Sequence, residues 1–392
     1  MFFFLPILSQ SDIIQKKTES CDTMKFDCII IGAGSMGMAA AYFLAKAGKN
    51  VCAIDAFDPP HTNGSHHGET RIIRYAYGEG LEYVPLALRA AALWKQLERQ
   101  VNKQLLLQTG VVNIADKEHP FVKTVIESAE KYQLPLEVLN AQEITNRWPG
   151  IQVTDNMIAA FEPTSGVLRV EDCVAAYKKL AINEGATLRM NEPVQHITFG
   201  HTVTVTTSVR SYEADHCIVC AGAWTNKLLQ PFNLPLSPIR KTFAWFEAEE
   251  GLYGEENFPA FAVELSDACY YGFPSIDGAG YKIGRHDGGE TIDPDDKLRE
   301  FDESDTADLQ QFINTYMPQV GSLKEGKVCK YTMTPDEHFI IDFLPEQSNV
   351  IVASGFSGHG FKFASAVGEM LSQMVTDGKP QLSNGLFKLN RF

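Results

Sequence analysis

Between residues 26 and 55 an apolar strand, a glycine-rich turn, a helix and a second apolar strand follow one another, and that order restricts what the chain can fold into. Cys28, Ile29, Ile30 and Ile31 form an unbroken apolar run stopped by glycine, as a parallel strand buried on both faces requires. Gly32, Gly34 and Gly37 then spell G-x-G-x-x-G. Residues 36–47 are rich in Ala, Leu and Met and predict a helix, which Gly48 closes. Residues 51–54 form a second apolar strand that ends in Asp55. In such a unit the first glycine permits a tight turn, the second lets backbone approach a pyrophosphate, and the third lets helix pack on strand. Free amides and the positive end of the helix dipole face the anion, and Asp55 stands where an acid can take a ribose hydroxyl. The glycines alone would fit any strand-turn-helix; the ordered set predicts a dinucleotide, without separating NAD from FAD.

A chain of 392 residues has room for two domains with substantial cores. A formal charge of −15 disfavours nucleic acid and anionic membrane surfaces as partners, and no apolar run approaches a bilayer span. The eight cysteines are scattered, and Cys217 and Cys220 lie in the apolar run CIVCAG, which reads as buried strand and fits a reducing cytoplasm better than zinc. His66, His67 and Glu69 invite a metal, but neighbouring side chains diverge and no third histidine is close, so no metal is expected. Residues 1–23 read as a disordered extension, or as a start assigned ahead of Met24.

Further along, residues 58–70 form a loop suited to folding over an anionic cofactor, and residues 85–101 carry an amphipathic helix. Residues 217–223 repeat the opening pattern, an apolar strand meeting Gly222 before a helix. From 239 to 284, aromatic-rich strand segments succeed one another and predict an antiparallel sheet in a second domain. The strand 350–353 runs into a third glycine-rich turn, containing Gly358 and Gly360, and then a helix. The first domain is therefore expected to be discontinuous.

The segments SHHGETRIIRYAYGEG, CIVCAGAW, KVCKYT, DEHFIID and GFSGHGFKF resemble the monomeric sarcosine oxidase and N-methyltryptophan oxidase family, and the resemblance runs from Met24 to the end. It implies FAD, an α/β fold with a Rossmann-type, glutathione-reductase-like FAD domain, and a substrate domain on a mixed, largely antiparallel sheet. The implied reaction is oxidative demethylation of sarcosine by O2, giving glycine, formaldehyde and hydrogen peroxide. By position, Cys329 would attach the flavin covalently through a thioether, Arg74 and Lys362 would grip the substrate carboxylate, and Lys282 would activate oxygen. Tyr271 and His286 would line the substrate pocket, with the imidazole near the amine. Arg71, His67 and Thr70 would pack near the flavin. Ala262 stands where sarcosine-specific relatives carry a larger methionine, and Arg285 where they carry an aromatic, so the substrate side chain is open between glycine and something larger such as N-methyltryptophan.

The expected division is FAD domain at 24–100, 161–236 and 326–392, and substrate domain at 101–160 and 237–325. A cytoplasmic monomer acting on a small N-methyl amino acid is expected. An NAD-dependent dehydrogenase is disfavoured by Cys329, Lys282 and the C-terminal turn, and a flavin-binding subunit of a heteromeric oxidase is the remaining alternative.

Overall fold

The computed structural model describes residues 24–382 and 385–392, so the expectations for residues 1–23 lie outside it. The opening unit forms as its pattern requires: strand Met24–Ile31, helix Ser35–Lys46, strand Val51–Ile54. Met24–Ile31 pairs in parallel with Val51–Ile54 on one side and Ser211–Val219 on the other. Thr187–Arg189 and Gln347–Ser354 extend this parallel sheet outward on either side. Ile340–Leu344 adds an antiparallel edge, and the hairpin Val194–Thr198 and Val203–Thr207 pairs with the first half of Ser211–Val219.

Alternation along the first strand explains why its apolar run is continuous. Cys28 and Ile30 enter one core with helices Ser35–Lys46, Val84–Val101, Val170–Asn183 and Ala364–Asp377, while Ile29 and Ile31 enter a second core with Leu229, Leu234 and Leu236. The last helix crosses directly over the first, where a Cβ on Gly368 would come 2.4 Å from Ala39 Cβ. That contact returns the end of the chain to its beginning.

The second sheet has nine strands, and its pairings are antiparallel except for Ala260–Glu264 against Val111–Asp116. Its core stacks Phe261 on Tyr281 and on Phe312 of helix Glu303–Tyr316. One expectation needs correction. The boundary drawn at 325/326 falls inside strand Leu323–Met333, which pairs with Ser237–Phe246 from Met333 opposite Ser237 to Leu323 opposite Phe246. Cys329 therefore belongs to the second sheet. The polar segment KEGK reads as a linker in isolation, but cross-strand pairing carries it as strand. A small sheet of Thr70–Ile73, Gly166–Arg169 and Leu106–Leu107 sends Ile73, Leu106 and Leu168 into the first core and packs Leu107 and Val167 with Val111 and Ala260 of the second sheet. Among the described residues no helix is long and apolar enough to cross a membrane.

Candidate active site

The parallel strands end at Ile31, Ile54, Val219 and Ser354, and the crevice beyond their carboxyl ends is where such sheets bind ligands. Gly32 adopts φ +89°, and a Cβ there would come 2.4 Å from Cys220 O. A Cβ on Gly37 would come 1.9 Å from Gly32 O, so the turn folds back on the helix only with glycine at both positions. Gly34 is the helix N-cap and supplies no side-chain cap, which leaves the first-turn amides facing the crevice. Asp55 accepts from Ala33 N at 2.7 Å and Phe57 N at 2.9 Å, fastening the turn to the second strand, and lines the cavity with His61 Nε2 3.4 Å from its Oδ1.

Three cavities adjoin along this edge, each sharing lining residues with the next. The largest, about 700 Å³, is lined by Gly32, Gly34, Asp55, His61, Gly222 and Trp224. The middle one, about 110 Å³, shares Gly34, His66 and Gly222 with the first and adds Thr332, Gly358 and Gly360. The innermost, about 80 Å³, shares Arg71, Tyr331, Gly358 and Phe361 with the middle one. Thr332 Oγ1 is buried without a partner. Three glycine-rich turns far apart in sequence thus meet along one trench.

At its inner end lie Arg74, Tyr271, His286 and Lys362. Arg74 follows strand Thr70–Ile73 and is buried, donating through Nη1 to Asn113 Oδ1 at 2.7 Å and through Nη2 to Glu79 Oε1 at 2.5 Å. Its Nε and the second oxygen of Glu79 have no partner. Lys362 Nζ donates to His359 O at 2.8 Å and Tyr77 OH at 3.1 Å, which leaves its third proton free. Trp94 fixes this turn, donating from Nε1 to Lys362 O at 2.8 Å and stacking on Phe361. Burial, reinforced by Arg74, lowers the Lys362 ammonium to about 7. Burial alone would raise the Glu79 carboxyl, but Arg74, His359 and Lys362 hold it at about 2. Burial also lowers His286 to about 4, leaving a neutral imidazole at pH 7. Its Cε1 lies 2.9 Å from where a Cβ on Gly358 would stand.

Of the other residues singled out from sequence, Lys282, His67, Thr70 and Cys329 do not line these three cavities, whereas Arg71 does. Lys282 is buried and donates to Gly68 O and, at 2.9 Å, to Thr70 Oγ1. Three aromatic faces surround its ammonium: Phe243 at 4.8 Å, Trp245 at 5.2 Å and Phe273 at 4.7 Å. Burial pushes its pKa far down. His67 packs against Phe243, with its Nε2 unpartnered and its pKa lowered by burial to about 3. Arg71 bridges the layers: it lines both inner cavities and donates to Thr70 O at 2.8 Å and Ser65 O at 2.9 Å. Cys329 is a free, buried thiol one strand dyad from Tyr331; burial raises its pKa, opposed by the charges of Arg71, Lys241 and Lys282.

The sequence reading omitted several residues of the innermost cavity, among them Glu79, Glu264, Cys269, Tyr331 and His359. Period-two alternation from Cys329 leads to Tyr331, and from Ala262 to Glu264. Glu79 carries no such local signal; its partnership with Arg74 comes from the turn after strand Thr70–Ile73.

Residues 27–374 match the family described as FAD dependent oxidoreductase. Over 374 residues the chain is 50% identical to monomeric sarcosine oxidase of Bacillus sp. (strain NS-129), covering 93% of this chain and 97% of the relative. It is 45% identical over 374 residues to N-methyl-L-tryptophan oxidase of Yersinia pestis (strain Pestoides F), covering 94% and 100%. Among solved structures it is similar to NikD, an unusual amino acid oxidase essential for nikkomycin biosynthesis, with TM-score 0.83, 21% identity, and coverage of 94% and 98%. L-proline dehydrogenase from P. horikoshii has the same TM-score, 0.83, at 22% identity and coverage of 94% and 98%. The residues present fit FAD: an elongated trench, a glycine cradle at Gly32 and Gly34, an uncapped helix end and the unpartnered Thr332 hydroxyl all suit a dinucleotide.

Proposed function

Because this chain belongs to the FAD dependent oxidoreductase family, we propose that it is an oxidase of N-methyl amino acids, with sarcosine as the first substrate to test. The observation that carries this reading is the paired cations, Arg74 and Lys362, beside a neutral His286 at the inner end of the trench. Arg74 Nε and the third proton of Lys362 are the donors left for a substrate carboxylate, and both are desolvated, which strengthens a charge-assisted bond. An imidazole held neutral by burial adds no positive charge beside the amine and offers a ring nitrogen as hydrogen-bond acceptor, an environment that favours binding of the neutral amine with its lone pair free. FAD, when bound, would supply the two-electron oxidation of the amine to an imine with O2 as final acceptor, so that sarcosine, O2 and one water would yield glycine, formaldehyde and hydrogen peroxide.

Asp55, Gly222, Gly358 and Gly360 would hold the cofactor along the trench, and Arg71 would sit where cofactor and substrate meet. His67 and Thr70 would back the ring system with Lys282, a buried amine held by Gly68 O and Thr70 Oγ1 whose charged form, disfavoured by burial, would be favoured by the negative charge that develops on oxygen. Cys329 would hold the flavin covalently; the neighbouring cations favour its thiolate against burial. Tyr271, whose hydroxyl lies 3.3 Å from that of Tyr331, would close one wall of the substrate cavity. The test is product stoichiometry: aerated protein given sarcosine should release formaldehyde and hydrogen peroxide in equal amounts. Formation of neither overturns the reading.

A further inference from the structure

The floor of the innermost cavity is a piece of the second sheet. Asn113, Ala262, Tyr271 and Gly284 lie in one row across four strands. The next row on the same face, two residues along, contains Ala115, Glu264 and Cys269. His286 continues it, donating its backbone N–H to Cys269 O at 2.7 Å. The first row belongs to the carboxylate clamp, since Asn113 holds Arg74. Ala262 beside it is small and buried, whereas Glu264 and Cys269 are half-buried, so the cavity runs outward from Ala262 to the Glu264 carboxylate. Cys269 Sγ donates to Glu264 Oε1 at 3.0 Å, which fixes the carboxylate across its ladder pair. Arg74 lies within its field, but that charge is balanced by Glu79.

From this arrangement we infer that Glu264 selects the substrate side chain, favouring N-methyl amino acids whose side chain ends in a cationic hydrogen-bond donor. The inference rests on the reading of the site as an N-methyl amino acid oxidase. Two residues along a strand is about 7 Å, and an extended chain of four methylenes ending in an ammonium spans a similar distance. A substrate whose carboxylate is held at Arg74 would pass its side chain over Ala262 and bring its end to Glu264. An alkyl side chain of equal length would leave that carboxylate facing a methyl group. A site built around a polar partner discriminates strongly against the analogue that lacks it.

The probes are Nα-methyl-L-lysine and Nα-methyl-L-norleucine, which share the carbon skeleton and differ in the terminal ammonium, with sarcosine as a third substrate. In the holoenzyme, kcat/KM should favour the lysine derivative over the norleucine derivative by about tenfold or more. In E264Q, which keeps an oxygen to accept from the Cys269 thiol, that ratio should fall towards one. A262M should raise KM for both long substrates more than for sarcosine. Equal kcat/KM for the two long substrates, or a preference unchanged in E264Q, overturns the inference while turnover of sarcosine leaves the function standing. Failure of all three substrates to reduce the flavin overturns the function itself, and the inference with it. The flavin spectrum and melting temperature of each variant identify any loss caused by misfolding.

Discussion

Lys362 carries an ammonium in the interior with two oxygens for company, and burial together with Arg74 brings its pKa to about 7. The sign follows directly. Below that pH the charged form attracts an anion, and above it the attraction is lost. Binding of a simple carboxylate such as propionate, followed by its effect on the flavin spectrum, should therefore weaken as pH rises through about 7. Affinity constant from pH 6 to pH 8 would place the carboxylate elsewhere. Lys282 is expected to matter in the other half of the reaction. Lys282→Met should slow reoxidation of the reduced enzyme by about 10²-fold or more, with a smaller effect on anaerobic reduction, both read by stopped-flow absorbance. Cys329→Ser should release its flavin on acid denaturation, whereas the unaltered protein should keep it. At this scale the sequence was informative where a residue type stood among apolar neighbours: Arg74 after Ile72 and Ile73, and Lys362 between Phe361 and Phe363, both prove buried. It was silent on Glu79, because an acidic residue between two glycines looks like an ordinary turn until Arg74 is seen beside it.

At the scale of elements, the fold depends on close crossings that a single methyl group would block. Gly37→Ala places a Cβ against Gly32 O, and Gly368→Ala places one against Ala39. Each should lower stability by about 1–3 kcal/mol through overpacking. Gly37→Ala should in addition reduce the flavin content of purified protein, because it displaces the turn that forms the cradle, while Gly368→Ala should reduce it less. Absorbance ratios and thermal melts check both. Elements of this kind were readable because their signals are local: apolar runs, glycine stops and alternation. The strand Leu323–Met333 shows where local signals end. Its pairing partner lies some eighty residues earlier, at Ser237–Phe246, and only that ladder carries KEGK as strand and puts Cys329 in the second sheet.

For the whole molecule, the trench is bounded by three segments that sequence separates widely, around Gly34, Gly222 and Gly358, and by Arg71 and Tyr331 from the facing side. A ligand that touches all of them stabilises only the assembled fold. Cys329→Ser protein stripped of FAD should therefore melt at a lower temperature than the same protein reloaded with it. A ligand at about 100 times its Kd contributes about 2.7 kcal/mol, and an unchanged melting temperature would mean the cofactor does not bridge these segments. A parallel sheet, a run of antiparallel strands and the return of the C-terminus were legible from apolar runs and the recurring glycine turns. How the cavities join was not, because it depends on which faces of the two sheets oppose each other. The most direct test of the account is anaerobic mixing of the oxidised holoenzyme with sarcosine. It should bleach the flavin absorbance completely, and admitted oxygen should restore it. Bleaching by NADH or glycine but not by sarcosine would contradict it.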